Sequence, residues 1–188
     1  MVELIDHFSW ENIYPKAISQ FDSGVVEINE YLKKEIFCDD TNDVRRLLLL
    51  IDQKNILGYI SISLANIPVS IQTRDWSKTE PILKVNALGV DKSVQRSGYG
   101  TFLMLEIFRL ALKIHSLCPL KYIMLSSLRD ATEFYEEILG FTYSGLSPEE
   151  YLSAQEFIMY RRLSDLKDSS TLKTVDTGLA LSVTNKET

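Results

Sequence analysis

The sequence predicts an α+β fold built on a mixed sheet, and three observations support this. Residues 45–65 resemble the two strands of a hairpin, residues 82–90 form an almost continuous apolar strand, and a long helical pattern leads from that strand to another. Strands joined by both hairpins and helical crossovers give a mixed sheet. A chain of 188 residues that is 45% hydrophobic suits one domain with a full core.

The first predicted element is an amphipathic helix over residues 23–37. Ile28, Leu32 and Ile36 recur every four residues, with charged side chains between them. This spacing places the apolar residues on one helical face. Ser23 is the candidate N-cap, because its hydroxyl can accept from the first free amides of the helix.

A hairpin and a loop follow this helix. Residues 45–52 and 55–65 are β-rich runs that only two residues separate, and residues 58–64 alternate between polar and apolar side chains. This pattern is typical of an antiparallel hairpin. Residues 68–81 have no clear period, so we expect a loop there, which is also a candidate rim for a substrate.

The centre of the chain predicts a strand, a helix and a second strand. Residues 82–90 predict a central strand buried on both faces. Residues 99–116 carry their charges on one stripe and apolar side chains over the remaining circumference, so this helix is mostly buried. Residues 121–126 follow as another short strand.

The last predicted elements are a helix and a closing strand. We expect the helix to begin at Asp130, with Glu133 three residues later in an acidic variant of the capping box. Gly140 ends this helix, and residues 155–163 form the last strand. The domain therefore covers residues 1–163. Residues 164–188 are mostly polar and form a tail that is either mobile or partner-binding, with mobility preferred.

Charge argues against a broad nucleic-acid-binding surface. The formal net charge is −6, whereas binding along a phosphate backbone rewards an excess of basic residues. A local basic mouth is still possible, although scattered solvated charge is the preferred interpretation. The basic residues in the stretch that leads to Gly98 and Gly100 are Arg74, Lys78, Lys84, Lys92 and Arg96.

The cysteines and histidines do not indicate a metal site. Cys38 and Cys118 are far apart, without the spacing of metal ligands or of a disulfide framework, and the histidines of the sequence are His7 and His115. We therefore expect no metal and a reducing cytoplasm. The N-terminal residues do not resemble a signal peptide, and apolar runs stay below the ~18 residues that cross a bilayer.

The most informative segment is Gln95-Arg96-Ser97-Gly98-Tyr99-Gly100, which lies between a predicted strand and a predicted helix. A helix start exposes about four unpaired backbone N–H groups and carries a partial positive charge. A strand that leads through glycines into a helix is therefore suited to bind an anion, and a pyrophosphate group is the expected ligand. Taken alone, the motif is also compatible with a plain structural turn.

The surroundings of this segment resemble the GNAT acetyltransferases. The run from Leu88 to Met104 is similar to the family's motif A, in which Arg or Gln is followed by two residues, Gly, one residue, and Gly or Ala. Further on, the Phe134-Tyr135 pair ahead of Gly140 resembles the family's second signature. The resemblance implies a mostly antiparallel central sheet, helices on both faces and central strands that splay apart.

The resemblance also implies acetyl-CoA as co-substrate. The backbone of Leu88 and Val90 would hold its pantetheine arm in the gap between the splayed strands. Amides of the glycine turn would surround the pyrophosphate, and the Arg96 side chain would add a charge-assisted contact. The residues of this expected cradle are Gln95, Arg96, Ser97, Gly98, Tyr99, Gly100 and Thr101.

Two residues are candidates for catalysis. Tyr135 matches the tyrosine that protonates the leaving thiolate in many family members, and the alternative is a tyrosine that only packs in the core. Four residues separate it from Gly140, whereas three are usual in the family. Asn86 is a candidate for positioning an amine or a water, or else is an ordinary strand residue. The predicted strand over residues 82–90 offers no carboxylate as base, which favours acceptor amines of low pKa.

The first third of the chain resembles the tRNA-acetylating toxins of bacterial toxin–antitoxin pairs, through Phe21-Asp22-Ser23-Gly24 and the helix that follows. The predicted function is direct transfer of an acetyl group to a primary amine of a small molecule or peptide. The alternatives are a toxin that acetylates charged tRNA and is neutralised by a small antitoxin, or a non-catalytic acyl-CoA-binding protein. A homodimer is possible, and we expect no membrane partner.

Overall fold

The computed structural model describes residues 2–7, 15–36, 44–68, 79–144 and 154–168. Among them are a seven-stranded sheet in the order β1-β2-β3-β4-β5-β7-β6, four α-helices and one π-helical turn. The strands are β1 Val2–Asp6, β2 Arg46–Asp52, β3 Asn55–Pro68, β4 Thr79–Val90, β5 Tyr122–Leu128, β6 Thr142–Tyr143 and β7 Glu156–Arg162. The helices are α1 Pro15–Gln20, α2 Val26–Ile36, α3 Tyr99–Leu117 and α4 Leu163–Asp168, and the π-helical turn is Phe134–Ile138.

The sheet is mixed and mostly antiparallel, as predicted. Every strand pairs antiparallel with its neighbours except β4 and β5, which are parallel and joined by α3 as a crossover. Their pairing runs from Ile82↔Tyr122 to Val85↔Leu125 and ends there, although both strands continue. The two central strands therefore part at their C-terminal ends.

Helices cover both faces of the sheet, and each face has its own apolar core. On one face α3 and α4 pack against the sheet, with Leu83, Leu103, Phe108, Ile123 and Leu166 buried between them. On the other face α1 and α2 cover β2, β3 and part of β4, with Phe21, Leu32, Leu49, Tyr59 and Ala87 buried.

A β-bulge at Asn86 changes the direction of β4. Val85 pairs with Ile62 and Ala87 with Ser61, so Asn86 is an extra residue on this strand. The extra residue shifts the alternation of side chains: Val85 faces the α3 core, whereas Ala87 faces the α2 core. Because bulges bend the strand that carries them, this one explains why β4 leaves β5 beyond Val85.

The bend also corrects one expectation about β4. We expected residues 82–90 to be buried on both faces, but Lys84 is exposed and Asn86, Leu88 and Val90 are only partly buried. The parted end of the strand faces an open cleft instead of a neighbouring strand.

Close packing holds α2 against this end of β4. A Cβ built on Gly89 would lie 2.6 Å from the Tyr59 ring and 2.7 Å from the Ile28 side chain, so the approach requires a residue without a side chain. The Tyr59 hydroxyl donates to the Ile28 carbonyl at 2.7 Å, and the Phe21 ring meets the Tyr59 ring edge-on at 5.6 Å.

Most predicted elements are confirmed, with shifted ends. Strand β4 begins at Thr79, within the segment we expected to be a loop, and residues 69–78 lie outside the described residues. Strand β1 and helix α1 were not predicted. The chain continues past Leu163 as α4, whose Leu166 is fully buried in the core, and residues 169–188 lie outside the described part.

The capping box predicted at Asp130 is wrong. Residues Arg129–Ala131 form a short 3₁₀ turn whose N-cap is Leu128, and the side chain of Asp130 is exposed. The π-helical turn then follows and ends before Gly140, which confirms the predicted end of this segment.

Replacing Gly89 by alanine should destabilise the fold by about 1–3 kcal/mol, because the new methyl group overlaps the Tyr59 ring and the Ile28 side chain. The measurement is the free energy of unfolding from denaturant titration. Lys84→Ala on the exposed face of the same strand is the control and should change stability by less than about 0.5 kcal/mol. Equal stability of the two variants would contradict the packing argument.

Candidate active site

A cleft of about 710 Å³ opens where β4 and β5 part. Its walls come from the C-terminal ends of both strands, the start of α3, the segment before α2 and the chain around the π-helical turn. Of the predicted site residues, those that line it are Asn86, Leu88, Val90, Gln95, Arg96, Gly98, Gly100, Thr101 and Tyr135. The structure thus brings these residues together, whereas the side chains of Ser97 and Tyr99 are not part of the lining.

The turn into α3 depends on left-handed backbone conformations. Gly98 is the N-cap of the helix with φ of +88°, and Arg96 has φ of +63°. A Cβ built on Gly98 meets no described atom within 4 Å, so glycine is needed there for its backbone conformation and not for lack of space. A Cβ on Gly100 would make ordinary contact with Phe134 at 3.5 Å.

The first amides of α3 are available to a ligand. Phe102 donates its N–H to the Gly98 carbonyl, so the earlier helical amides of Tyr99, Gly100 and Thr101 precede the first intrahelical bond. The first turn, all of which the structure describes, carries no acidic side chain. With a positive helix end and the exposed Arg96 beside it, this turn fits the diphosphate of a nucleotide.

The Gln95 side chain has a structural task in this turn. Its Nε2 group donates to the Ser23 carbonyl at 2.8 Å and to the Val90 carbonyl at 3.0 Å. The carbonyl oxygen of Val90 therefore already accepts one hydrogen bond from Gln95, which the sequence did not reveal. Ser97 is exposed in the same turn and is not among the residues that line the cleft.

Tyr135 lies in the wall of the cleft with its ring buried. The ring centroid is 5.0 Å from that of Phe134 and 5.8 Å from that of Phe141, both in edge-on geometry. Burial raises the pKa of Tyr135 to about 12. The phenol consequently stays protonated at ordinary pH and can act as a proton donor.

The π-helical turn absorbs the residue that exceeds the usual spacing. The wider turn takes up an additional residue between Tyr135 and the sheet, and Phe141 donates its N–H to the Tyr135 carbonyl at 2.9 Å. Arg161 of β7 donates from Nη1 to the Leu139 carbonyl at the end of the turn. The tyrosine therefore faces the cleft despite the longer spacing.

Polar side chains of β4 and β5 at the cleft form hydrogen bonds with other residues of the sheet. The Asn86 amide and the Ser63 hydroxyl hydrogen-bond to each other across β3 and β4, at 3.1 Å from Nδ2. Ser126 donates to the Glu156 carboxylate at 2.7 Å, and the buried Ser127 donates to the Leu128 carbonyl. Asn86 thus borders the cleft with its orientation already fixed.

Charge in the cleft is sparse. Among the described residues that line it, the charged ones are Arg96 and Asp130. The described residues hold no cluster of histidine, cysteine, aspartate or glutamate side chains with the arrangement of a metal site. In the described parts of the chain, the helices are too short or too polar to cross a bilayer.

Several residues in the cleft were not among the predicted site residues. Ser23 and Val25 come from the segment before α2, Ile28 comes from the first turn of α2, and Ala131, Phe134 and Ile138 come from the chain around the π-helical turn. Ala131 and Ile138 lie four residues before and three residues after Tyr135, and Phe134 precedes it directly, so the local sequence could have indicated this group. The first group lies about 70 residues before the cradle in sequence, and only the fold brings it there.

Comparisons with known proteins agree with this architecture. A family profile described as "Acetyltransferase (GNAT) family" matches residues 8–141. A comparison with curated protein sequences gives no match. The chain belongs to the GNAT family of acetyltransferases, which confirms the resemblance drawn from its two signatures.

Solved structures with a similar fold include toxins. A bacterial toxin aligns with a TM-score of 0.72 at 18% identity, over 100% of this chain and 99% of its own. AtaTR bound with AcCoA gives 0.68 at 18% identity, over 89% and 95%. AtaT complexed with acetyl-methionyl-tRNAfMet gives 0.67 at 14%, over 89% and 98%. At these identities the similarity establishes the fold.

The Tyr135 phenol should titrate near pH 12 instead of near 10, because burial favours its neutral form. Ultraviolet difference titration of the wild type against Tyr135→Phe isolates this group. Since the folded state holds the proton more tightly, the stability from this group is present below about pH 10 and is lost as pH rises towards 12. A Tyr135 signal with the ordinary tyrosine midpoint would contradict the buried placement.

Proposed function

We propose that this protein transfers the acetyl group of acetyl-CoA directly to the nitrogen of a primary amine. The observation that carries the proposal is the cleft between β4 and β5, which has a free helix start at one end and a protonated, buried tyrosine in its wall. Membership of the GNAT family supports the same chemistry.

The residues present fit acetyl-CoA as co-substrate. The amides of Tyr99, Gly100 and Thr101 and the Arg96 guanidinium would hold the diphosphate. The backbone of Leu88 and Val90, where β4 no longer pairs with β5, would hold the pantetheine arm like an added strand. When bound, acetyl-CoA supplies an acetyl thioester whose carbonyl carbon accepts a nucleophile.

Acetyl transfer breaks one C–S bond and forms one C–N bond, so the amine loses a proton and the sulfur gains one. Tyr135 would donate the proton that the sulfur takes up, because its raised pKa keeps the phenol neutral. A phenolate left behind in a buried site is unfavourable, which drives its rapid reprotonation from solvent or from the released amine proton.

The acceptor side of the cleft favours amines that are already neutral. Asn86 occupies the bulge at the point where β4 and β5 part, and its amide can orient an amine or a water but cannot remove a proton. An α-amino group with a pKa of ~7.7 has a sizeable neutral fraction at pH 7, whereas a lysine with a pKa of ~10.4 has almost none. We therefore propose α-amino or similarly weak amines as acceptors.

Direct transfer needs no acyl-enzyme intermediate. Cys118 follows the C-terminal end of α3, is exposed, and is not among the residues that line the cleft, and Cys38 lies outside the described residues. A ternary complex of both substrates is therefore the expected kinetic form.

Tyr135→Phe should lower kcat by about a hundredfold or more, since the ring contacts persist while the proton donor is lost. The dissociation constant of acetyl-CoA, measured by calorimetry, should stay within about twofold. The matched control is Tyr143→Phe. In the wild type the Tyr143 hydroxyl donates to the exposed Glu136 carboxylate, so its loss should leave full activity. Full turnover by Tyr135→Phe would contradict the proposed acid.

The second candidate function is acetylation of the amino group on a charged tRNA. Similar structures include AtaT complexed with acetyl-methionyl-tRNAfMet and a toxin bound to the C-terminus of the antitoxin AtaR. An aminoacyl ester amine has a low pKa, which suits a cleft that offers Asn86 in place of a carboxylate on β4. A small antitoxin would then be the protein partner, and a homodimer is also compatible with this candidate.

If tRNA is the acceptor, radiolabelled acetyl-CoA should label aminoacyl-tRNA but not deacylated tRNA, and binding should weaken steeply as salt rises. Free amino acids and peptide amines, assayed at the same concentration, should then be labelled far more slowly. Equal or faster labelling of the simple amines would assign the protein to the small-molecule and peptide class instead.

A further inference from the structure

The segment before α2 forms one wall of the cleft without belonging to the expected cofactor motif. Ser23 and Val25 of this segment line the cleft. Its residues 21–25 are about 70 positions earlier in the chain than the glycine turn. What holds the two together is a set of hydrogen bonds centred on two carboxylates.

Asp22 is the first of these carboxylates. One oxygen, Oδ1, accepts from the Gly24 N–H at 2.9 Å and from Asn29 Nδ2 at 3.0 Å. The other oxygen, Oδ2, accepts from Lys92 Nζ at 2.5 Å, and Lys92 also donates its backbone N–H to the Asp22 carbonyl at 2.8 Å. The residue therefore binds its own segment, helix α2 and the turn that leads into the cradle.

Asp91 completes the connection from the other side. Its Oδ2 accepts from the Asp22 backbone N–H at 3.0 Å, and its Oδ1 accepts from the Ser93 N–H at 2.9 Å. Asp91 itself is anchored to the sheet by its N–H, which donates to the Leu57 carbonyl at 2.9 Å. Thus one carboxylate fixes the start of the segment to the end of β4.

The cleft-lining residue Ser23 is held at three points. Its N–H and its hydroxyl both donate to Asn29 Oδ1 at 2.8 Å, and its carbonyl accepts from Gln95 Nε2 at 2.8 Å. Since Gln95 also holds the Val90 carbonyl, the same amide connects this wall, β4 and the cradle.

The ion pair with Lys92 is not the main source of this order. The Asp22 and Lys92 side chains are 40% and 65% exposed, and such surface pairs contribute little by themselves. The other bonds reach backbone groups and the Asn29 amide, which fix a conformation. Hydrogen bonds from Lys92, Gly24 and Asn29 lower the pKa of Asp22 to about 2, so the carboxylate stays charged at ordinary pH.

We infer that Asp22 is a positioning residue that fixes residues 22–25 as a preformed wall of the cofactor cleft and thereby sets the affinity for acetyl-CoA. Without these bonds the segment would have to be ordered each time the ligand binds, and that cost lowers affinity. The inference rests on the proposed use of acetyl-CoA by this cleft. Asp22 does not contact the reacting atoms in this scheme, so chemistry at saturation should be preserved.

The test compares Asp22→Ala with Glu30→Ala, a carboxylate of α2 whose partner is Lys33 on the exposed helix surface. For Asp22→Ala we expect the acetyl-CoA dissociation constant and KM to rise about tenfold, with kcat within about twofold of the wild type. Glu30→Ala should leave all three unchanged. Asp22→Asn, which can retain the Oδ1 contacts but loses the Lys92 pair, should fall between wild type and Asp22→Ala.

The outcomes separate the two proposals. If the wild type itself gives no heat with acetyl-CoA or CoA, the proposed function fails before Asp22 is considered. If the wild type binds acetyl-CoA and Asp22→Ala binds it equally well, the positioning role is overturned. It is also overturned if Asp22→Ala loses kcat in proportion to a loss of folded protein, which circular dichroism measures. A raised KM with a normal kcat in a fully folded variant supports it.

Discussion

The parting of β4 from β5 is the feature on which the rest of the structure depends. Parallel pairing would otherwise continue and fill the space with sheet, but the bulge at Asn86 redirects β4 after Val85. The same bend turns Leu88 and Val90 towards open space and aims the end of the strand at the start of α3. One additional residue in one strand thus accounts for both the cleft and its approach to the glycine turn at the start of α3.

The two cores meet at this cleft. The α3 core supports the start of α3 and the wall with Tyr135, while the α2 core places Ile28, and with it the segment of Ser23 and Val25, at the same cleft. Gly89 permits this close approach, because α2 and the Tyr59 ring occupy the volume that a side chain would take. Packing on both faces of the sheet therefore determines the shape of a site at its centre.

Much of this arrangement could be predicted from local sequence. Gly98 and Gly100 identify the turn into α3, and the Phe134-Tyr135 pair identifies the candidate acid, because each signal spans only a few neighbouring residues. The bulge at Asn86 could not be predicted, since it is defined by the register with β3 and not by residue type. The hydrogen bonds between Asp22 and Lys92 could not be predicted for a similar reason, because these residues are 70 positions apart in the sequence.

The π-helical turn at Phe134–Ile138 bears on how distant members of this family are found. A π-helical turn accommodates one more residue than an α-helical turn, so Tyr135 lines the cleft although four residues separate it from Gly140. A search pattern with a rigid gap between the tyrosine and the glycine would discard this chain. Gap-tolerant patterns, written around the two anchors and not the interval, would retain it.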